Sequence, residues 1–324
     1  MRVFIAGGTG AVGKRLVPLL ASAGHEVHAT TRSARKIADL RRLGAEPVVL
    51  DILDREAVEA AIAAARPDVI VHQATALADM SDLRHFAEEF AGTDRLRVEG
   101  TDNLLAAAAT SGARRLVAQS FTGWPYAKVG GPVKTEDDPL DPDPPEASRG
   151  ALAAIRHLEE RVTGMDGLEG VVLRYGGFYG PGTSLTEGGV HLEAVRKRKF
   201  PVVGSGAGIW SFVHIDDVAT ATKAAIEGSA TGIFNVVDDE PAPVSEWLPY
   251  LAAAIGAKPP RHVPAWVGRI AAGELGLAMM TTVRGASNEK AKRELGWRLR
   301  YPSWRLGFKL GLADDLPGAR AVAV

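Results

Sequence analysis

The chain has no cysteine among its 324 residues, which excludes disulfides and thiolate metal sites and permits a cytoplasmic location. Charge of one sign is also missing. Thirty-eight basic side chains against 39 acidic ones leave a formal net charge of −1, giving no electrostatic case for nucleic acid or an anionic membrane as partner. There is no long hydrophobic run. The most apolar late stretch, Ala265 to Met280, is interrupted by Arg269 and Glu274, is too short to span a bilayer, and reads as a docking helix. No charged leader with a cleavage site precedes the first strand, so no signal peptide is read and a cytoplasmic protein is expected. No His/Asp/Glu cluster has metal-ligand spacing, and no metal is expected.

What remains is 46% hydrophobic and 24% charged, an ordinary globular balance with ample length for a large core. Short apolar strands are read at Val3–Ala6, Val27–Thr30, Pro47–Leu50, Val69–His72, Arg115–Gln119 and Val171–Arg174. Helical stretches stand between them at Val12–Ala23, Arg35–Leu43, Ala57–Ala65 and Val98–Ser111. This alternation predicts an α/β fold, a parallel sheet covered on both faces. The proline- and acid-rich stretch Gly130 to Pro145 reads as a solvated loop or a lid.

The first strand runs into "GGTGAVG". Gly7, Gly10 and Gly13 let the chain turn sharply and bring Thr9, Ala11 and Val12 amides toward an anion at a helix N-terminus. Gly8-xxxx-Gly13-Lys14 nearly spells an ATPase phosphate loop, but Arg15 stands where a Ser or Thr must hold magnesium. The dinucleotide reading needs only the glycines and the strand–turn–helix context. About 20 residues further on, an acid would accept from ribose hydroxyls and an Arg would neutralise a 2′-phosphate. Here "ATTRSARK" supplies Arg32, with Arg35 and Lys36 nearby and no acid, so NADP(H) is expected over NAD. Asp51 and Ile52 follow strand three, where the adenine edge falls, although Asp51 equally suits a turn cap.

In chain order, "GGTGAVG", "LDILD", "VHQATA", "VEGTDNLLAAA", "LVAQSFTGWPYA", "LRYGGFYGPGT", "FVHIDDVA", "FNVVDDEPAPVSEW" and "KAKRELGW" resemble the short-chain dehydrogenase/reductase superfamily. The likeness is to its extended, nucleotide-sugar epimerase/dehydratase branch, from the first strand to about residue 308. It implies a Rossmann doubly wound parallel sheet over 1–175 and 210–238. A smaller C-terminal substrate-binding domain would use 176–209 and 239–312, with a tail over 313–324. It further implies cofactor contacts from Gln73, Ala74, Thr75 and Tyr175, a small-molecule substrate, and a homodimer as an option.

The catalytic pattern departs from that branch. Such enzymes carry a Ser or Thr after strand five, available here as Ser120 or Thr122, with Thr122 the better spaced. They follow it with Tyr-x-x-x-Lys, in which the Tyr exchanges a proton with substrate and the Lys holds the nicotinamide ribose and lowers the Tyr pKa. This chain reads "PPEASRGALAAIRHLEE" there, with Glu146 near the Tyr position, Gly150 four residues on, and no lysine between Lys134 and Lys197. Three explanations stand open. Tyr126 supplies the proton, with Tyr175 and Tyr179 behind it; or a desolvated Glu146 does; or the protein binds NADP without net hydride transfer, as a regulatory protein or a lyase or isomerase. Oxidoreduction of a small organic or sugar-derived carbonyl or alcohol is the leading expectation. His72 and His214 read as structural, Asp216 and Asp217 as helix caps, Asn288 and Gly296 as the ends of a late helix. The "VRKRKF" run reads as a solvated patch or a phosphate contact.

Overall fold

A computed structural model describes residues 1–77 and 83–313. Most of the tail expected over 313–324 therefore lies outside the described residues. Seven parallel strands form the central sheet: β1 (Arg2–Ala6), β2 (Glu26–Thr31), β3 (Glu46–Val49), β4 (Val69–His72), β5 (Arg115–Phe121), β6 (Glu169–Tyr175) and β7 (Gly232–Val236). Their order is β7-β6-β5-β4-β1-β2-β3, the doubly wound arrangement expected of a Rossmann sheet. The sequence pattern does not single out the seventh strand. Its partner β6 is longer than its apolar run because Glu169 and Tyr175 complete the register from Arg115↔Glu169 to Phe121↔Tyr175.

Val3, Phe4 and Ile5 are fully buried in succession, as a strand covered on both faces requires. One face packs on α1 (Ala11–Ser22) and α8 (Ile215–Glu227) through Leu16, Val17, Leu20, Val218 and Ala221. The other packs on α3 (Arg55–Ala65), α5 (Thr101–Ser111) and α6 (Arg149–Thr163) through Val58, Ile62, Leu104, Leu158 and Val162. The apolar positions of α1 recur at helical spacing, and Gly24 at φ +81° closes it. The Asp54 side chain caps α3 by accepting from the Ala57 amide at 3.1 Å.

The helical stretch expected over Val98–Ser111 is longer and broken. It runs as α4 (Phe86–Arg95), one π-helical turn (Leu96–Gly100), then α5. Helix α6 is hidden in the sequence by the proline-rich segment before it. The helix expected over Arg35–Leu43 is a 3₁₀ turn at Ala34–Lys36 followed by α2 (Ile37–Arg42).

A third core gathers Tyr179, Leu192, Val202, Trp247, Leu251, Trp304 and Phe308 from the later chain. It lies among α7 (Val190–Arg196), α9 (Val244–Ala254), α10 (Ala265–Thr281) and α12 (Trp304–Leu310), whereas α11 (Glu289–Glu294) packs Ala291 into the core under α1 and α8. Helix α10 kinks at Gly273, and among the described residues no helix is long and apolar enough to cross a membrane.

The stretch Gly130–Pro145 is not a free lid. Val133 and Lys134 pair as a short parallel strand with Gly285 and Ala286, Lys134 bonds Asp138 and the Val129 carbonyl, and Arg156 donates to the Asp141 carbonyl at 2.6 Å. Helix α8 is capped by the His214 imidazole, which accepts from the Asp216 amide at 3.1 Å, and not by an aspartate. Asp217 instead accepts from the Arg300 and Tyr301 amides, fastening the late chain to the sheet. Asn288 does stand at the N-cap of α11, but its amide donates to Val237 and Asp239; Gly296 follows the helix at φ +63°.

The tightest backbone approach between sheet and helix is at Gly170 on β6. A Cβ there would stand 1.9 Å from the Val162 carbonyl oxygen of α6. Gly170→Ala is expected to cost about 1–3 kcal/mol or more. Thermal unfolding should show a clear fall in Tm, with Gly131→Ala, whose Cβ meets nothing closer than 3.9 Å, unchanged as the control.

Candidate active site

The strand order reverses direction between β1 and β4, and a cleft opens at their C-terminal ends. It is lined by Gly7, Thr9, Gly10, Thr30, Thr31, Arg32, Lys36, Leu50, Asp51, Ile52, Gln73, Ala74, Thr75 and Leu96. Nine of the expected cofactor residues thus share one cavity. Gly7 turns at φ +97°, and a Cβ on it would lie 2.6 Å from the Gln73 carbonyl oxygen; one on Gly13 would lie 2.5 Å from the Gly8 carbonyl oxygen. Gly10 differs. Its backbone is extended, and a Cβ there meets the protein no closer than 3.4 Å, so it faces open space at the start of α1. That helix has neither a side-chain cap nor an acid in its first turn, leaving its amides for an anion.

Ala11, Val12 and Gly13 form that first turn without lining the cleft, Val12 facing the core. Arg15 reaches away to Asp216 at 3.6 Å and toward the Pro181 carbonyl. Among the described residues, Arg32 and Lys36 have no carboxylate partner and stand exposed at the cleft mouth. Asp51 accepts from the Leu53 amide at 3.0 Å, serving its turn while its side chain borders the cleft.

The floor of the cleft is held by buried groups. His72 bonds the Leu96 carbonyl at 3.1 Å through Nε2 and accepts from the Ala74 amide through Nδ1, and burial pushes its pKa down to about 4. It is a neutral structural histidine. Tyr175 does not line the cleft. Its hydroxyl lies between Gln73 Nε2 at 3.0 Å and Thr222 Oγ1 at 2.7 Å, and burial raises its pKa. This fixes the Gln73 amide with its Oε1 buried and, among the described residues, without a protein partner. The uncapped amides, the open face of Gly10 and this orphaned oxygen fit an extended ligand carrying an anion and hydrogen-bonding groups.

The expected hydroxyls after β5 are near one another but committed elsewhere. Ser120 donates to Glu159 at 2.7 Å, and Arg174 grips the same carboxylate at 2.8 and 2.6 Å. Arg174 also donates to the Tyr126 hydroxyl at 3.0 Å, which donates to Asn235 Oδ1 at 2.8 Å; Thr122 donates to that oxygen at 3.0 Å. Ser120, Thr122 and Tyr126 are each no more than 2% exposed. Burial raises the Tyr126 pKa, against the pull of Arg174. Tyr179 is buried in the third core, where Gly307 closes on its ring.

Glu146 is exposed on a 3₁₀ turn before α6 and is not the desolvated carboxyl that an acid role would need. Around the usual acid/base positions, α6 and the turn before it present Ala147, Gly150 and Ala151. Ala147 and Ala151 pack in a buried apolar cluster with Phe86 and Phe90 of α4, Trp124, Leu152, Ile155, Leu275 of α10 and Val283, while Gly150 is exposed. Phe86 stacks on Phe90 at 4.0 Å and meets Trp124 edge-on at 5.8 Å. The result is an apolar, aromatic wall without an acid.

Sequence reasoning missed one ionisable pair beside that wall. Asp94 of α4 and Arg97 of the π-helical turn lie 3.7 Å apart, with Arg97 almost wholly buried. Burial pushes Asp94 up to about 6 and Arg97 down to about 10. The available signal was their i,i+3 spacing before "VEGTDNLL", within a stretch whose helical period is weak. Among the described residues, no group of three or more His, Cys, Asp or Glu could hold a metal. Three of the four "VRKRKF" charges are engaged, Arg196 with Glu187 and Glu193, Lys197 with Glu193, and Arg198 with the Pro259 carbonyl, while Lys199 is exposed.

Tyr126→Phe separates a structural from a catalytic role. Losing a hydroxyl bonded to both Arg174 and Asn235 should cost about 1–3 kcal/mol, read as a lower denaturation midpoint. Turnover should fall less than tenfold, whereas loss of a general acid costs roughly 100- to 10,000-fold.

Comparison with known proteins agrees with this architecture. The model of the NAD dependent epimerase/dehydratase family matches residues 3–236. A 3-diazoavenalumate denitrifying reductase from Streptomyces sp is 46% identical over 309 residues, covering 95% of this chain and 99% of that protein. A solved UDP-glucose 4-epimerase from Thermus thermophilus, in complex with NAD, has a TM-score of 0.70 at 27% identity, over 99% of this chain and 100% of that one. A human epimerase family protein with NADPH shares the fold, with a TM-score of 0.75 at 22% identity over 98% of this chain and 100% of that one. With its Rossmann sheet, its glycine cradle and reductases among its relatives, the chain belongs to the NAD dependent epimerase/dehydratase family and is an oxidoreductase of that type.

Proposed function

We propose that this protein is an NADP(H)-dependent reductase that passes a hydride to a small, electron-poor aromatic acceptor, with an arenediazonium group as the substrate class. The observation that carries this reading is the missing Tyr-x-x-x-Lys pair: exposed Glu146 and Gly150 stand near its place, and the neighbouring Ala147 and Ala151 pack in an aromatic cluster. A carbonyl needs a proton donor as hydride arrives, because negative charge grows on its oxygen. An arenediazonium is already cationic and needs none. The 46% identical relative is named for reducing a diazo compound with loss of nitrogen, which supports the same chemistry.

The cofactor residues follow from the cleft. Gly7, Thr9, Gly10 and the first turn of α1 (Ala11, Val12, Gly13) would hold the pyrophosphate, and Arg32 with Lys36 the 2′-phosphate. Asp51 and Ile52 would border the adenine, and Gln73, Ala74 and Thr75 the nicotinamide half, with Tyr175 fixing Gln73 from behind. The bound dihydronicotinamide supplies the hydride. On the substrate, hydride adds to the terminal nitrogen of Ar–N₂⁺ to give Ar–N=N–H. The carbon–nitrogen bond then breaks, N₂ leaves, the N–H proton is released and the ring carbon takes up a proton. The balance is one arenediazonium and one NADPH to one arene, one N₂ and one NADP⁺.

The protein's part is to seat the ring beside the apolar cluster of Phe86, Phe90 and Trp124 and to exclude water that would compete for the diazonium. Reduction of a small carbonyl or oxidation of an alcohol is the second reading. It is favoured by a relative named 2-alkyl-3-oxoalkanoate reductase from Stenotrophomonas maltophilia, 28% identical over 79% of this chain. It would have to draw its proton from Thr122, Ser120 or Tyr126 after their buried bonds open.

NADPH oxidation above the rate of cofactor alone, matched one-to-one by N₂ release, is expected with a hydroxyaryl diazonium and not with 3-oxo acids. The reverse result overturns the assignment. Arg32 is exposed, so Arg32→Ala should lose about 1.5 kcal/mol of phosphate contact, roughly tenfold in NADPH affinity, with NADH little changed. Equal calorimetric affinities for the two cofactors in the unaltered protein would defeat the NADP preference. Gly10→Val should fold, given its ordinary backbone angles, yet bind neither cofactor.

A further inference from the structure

We propose that Asp94 is the charged, specificity-determining residue of the substrate pocket, the carboxylate that selects a cationic group on the aromatic ring and orients it toward the cofactor cleft. The inference rests on the arenediazonium reading given above for the substrate class.

Three observations place Asp94 there. The first is position. The Thr93 hydroxyl accepts from the Ala76 amide at 3.0 Å, and a Cβ on Gly92 would lie 3.0 Å from the Ala76 side chain. Residues 92–96 therefore run beside the strand-four loop whose Thr75, with Leu96, lines the cofactor cleft. Phe90, one turn before Asp94, belongs to the aromatic wall. Asp94 thus stands where cleft and wall meet.

The second is space. On the facing helix, Gly150 leaves room into which a side chain would otherwise project; its Cβ would stand 3.7 Å from Asp94 Oδ2.

The third is unmet bonding. Among the described residues, Asp94 Oδ1, Arg97 Nη1 and Thr101 Oγ1 are all buried without a hydrogen-bond partner, though the first two lie only 3.7 Å apart. Buried polar atoms are seldom left so, and a run of them along one helix marks a place that a ligand or water completes. The π-helical turn at Leu96–Gly100, a feature frequent at functional sites, carries Arg97 into this neighbourhood. Arg97 lies within the influence of both Asp94, 3.7 Å away, and the buried Glu159. A carboxylate so placed, beside an apolar cluster and sharing its charge only loosely with Arg97 at 3.7 Å, attracts a cation on a flat ring more strongly than in water.

The test uses the NADPH-loaded protein and two unreactive probes of equal shape, (4-hydroxyphenyl)trimethylammonium and 4-tert-butylphenol. Calorimetry should show at least tenfold preference for the cation in the unaltered protein. Asp94→Asn should abolish that preference while leaving affinity for the neutral phenol and for NADPH unchanged, and Asp94→Glu should restore part of it. With a hydroxyaryl diazonium, Asp94→Asn should raise KM at least tenfold. Retention of cation preference in Asp94→Asn, or its absence from the unaltered protein, overturns the inference. Failure of the unaltered protein to reduce any diazonium defeats the functional reading instead, and the calorimetric comparison still judges Asp94 by itself.

Discussion

The close approach of β1 to β4 at the strand switch governs the rest of the molecule. Gly7 sits against the Gln73 carbonyl at a distance that no side chain could share, and Gly13 packs α1 onto the same turn. Because these two glycines let the backbone close, the first turn of α1 is uncapped and its amides face a cleft instead of a neighbour. The same approach sets Gln73, Ala74 and Thr75 opposite Thr9 and Gly10. His72 and Tyr175 then hold that loop from below, one through the Leu96 carbonyl and the Ala74 amide, the other through the Gln73 amide.

Beyond the cleft, polar and apolar groups are divided in an uncommon way. The hydroxyls of Ser120, Thr122 and Tyr126 are drawn under α6 into a network around Glu159, Arg174 and Asn235. A buried ion pair of this kind requires every lone pair to be met, and Ser120 and Tyr126 serve that need. The surface these residues leave is filled by Phe86, Phe90 and Trp124 packed on small α6 residues. That cluster is buried and apolar and carries no ionisable group that could exchange a proton. Asp94 and Arg97 are the ionisable groups at its margin.

The sequence by itself determined the α/β class, the positions of the first six strands and the glycine cradle. Those features are local: a run of buried β-branched residues, a helical period, and glycines where backbone must turn or touch. Arg32 was legible for the same reason, since its place is set by counting from the strand end. The absence of a Tyr-x-x-x-Lys pair was legible too, as an absence.

Tertiary structure decided what took its place. Whether Tyr126 faces a substrate or an arginine depends on Arg174 and Asn235, 48 and 109 residues away, and no local pattern encodes that choice. The proline-rich segment that resembles a lid is fastened by residues as distant as Gly285 and Ala286. In sequence, Asp94 is one more acid in a charged stretch; in the fold, α4 lays it against Gly150 of α6. Its burial, and the bond its oxygen lacks, come from packing two helices that sequence separates by more than fifty residues, because desolvation is a property of surroundings and not of residue type.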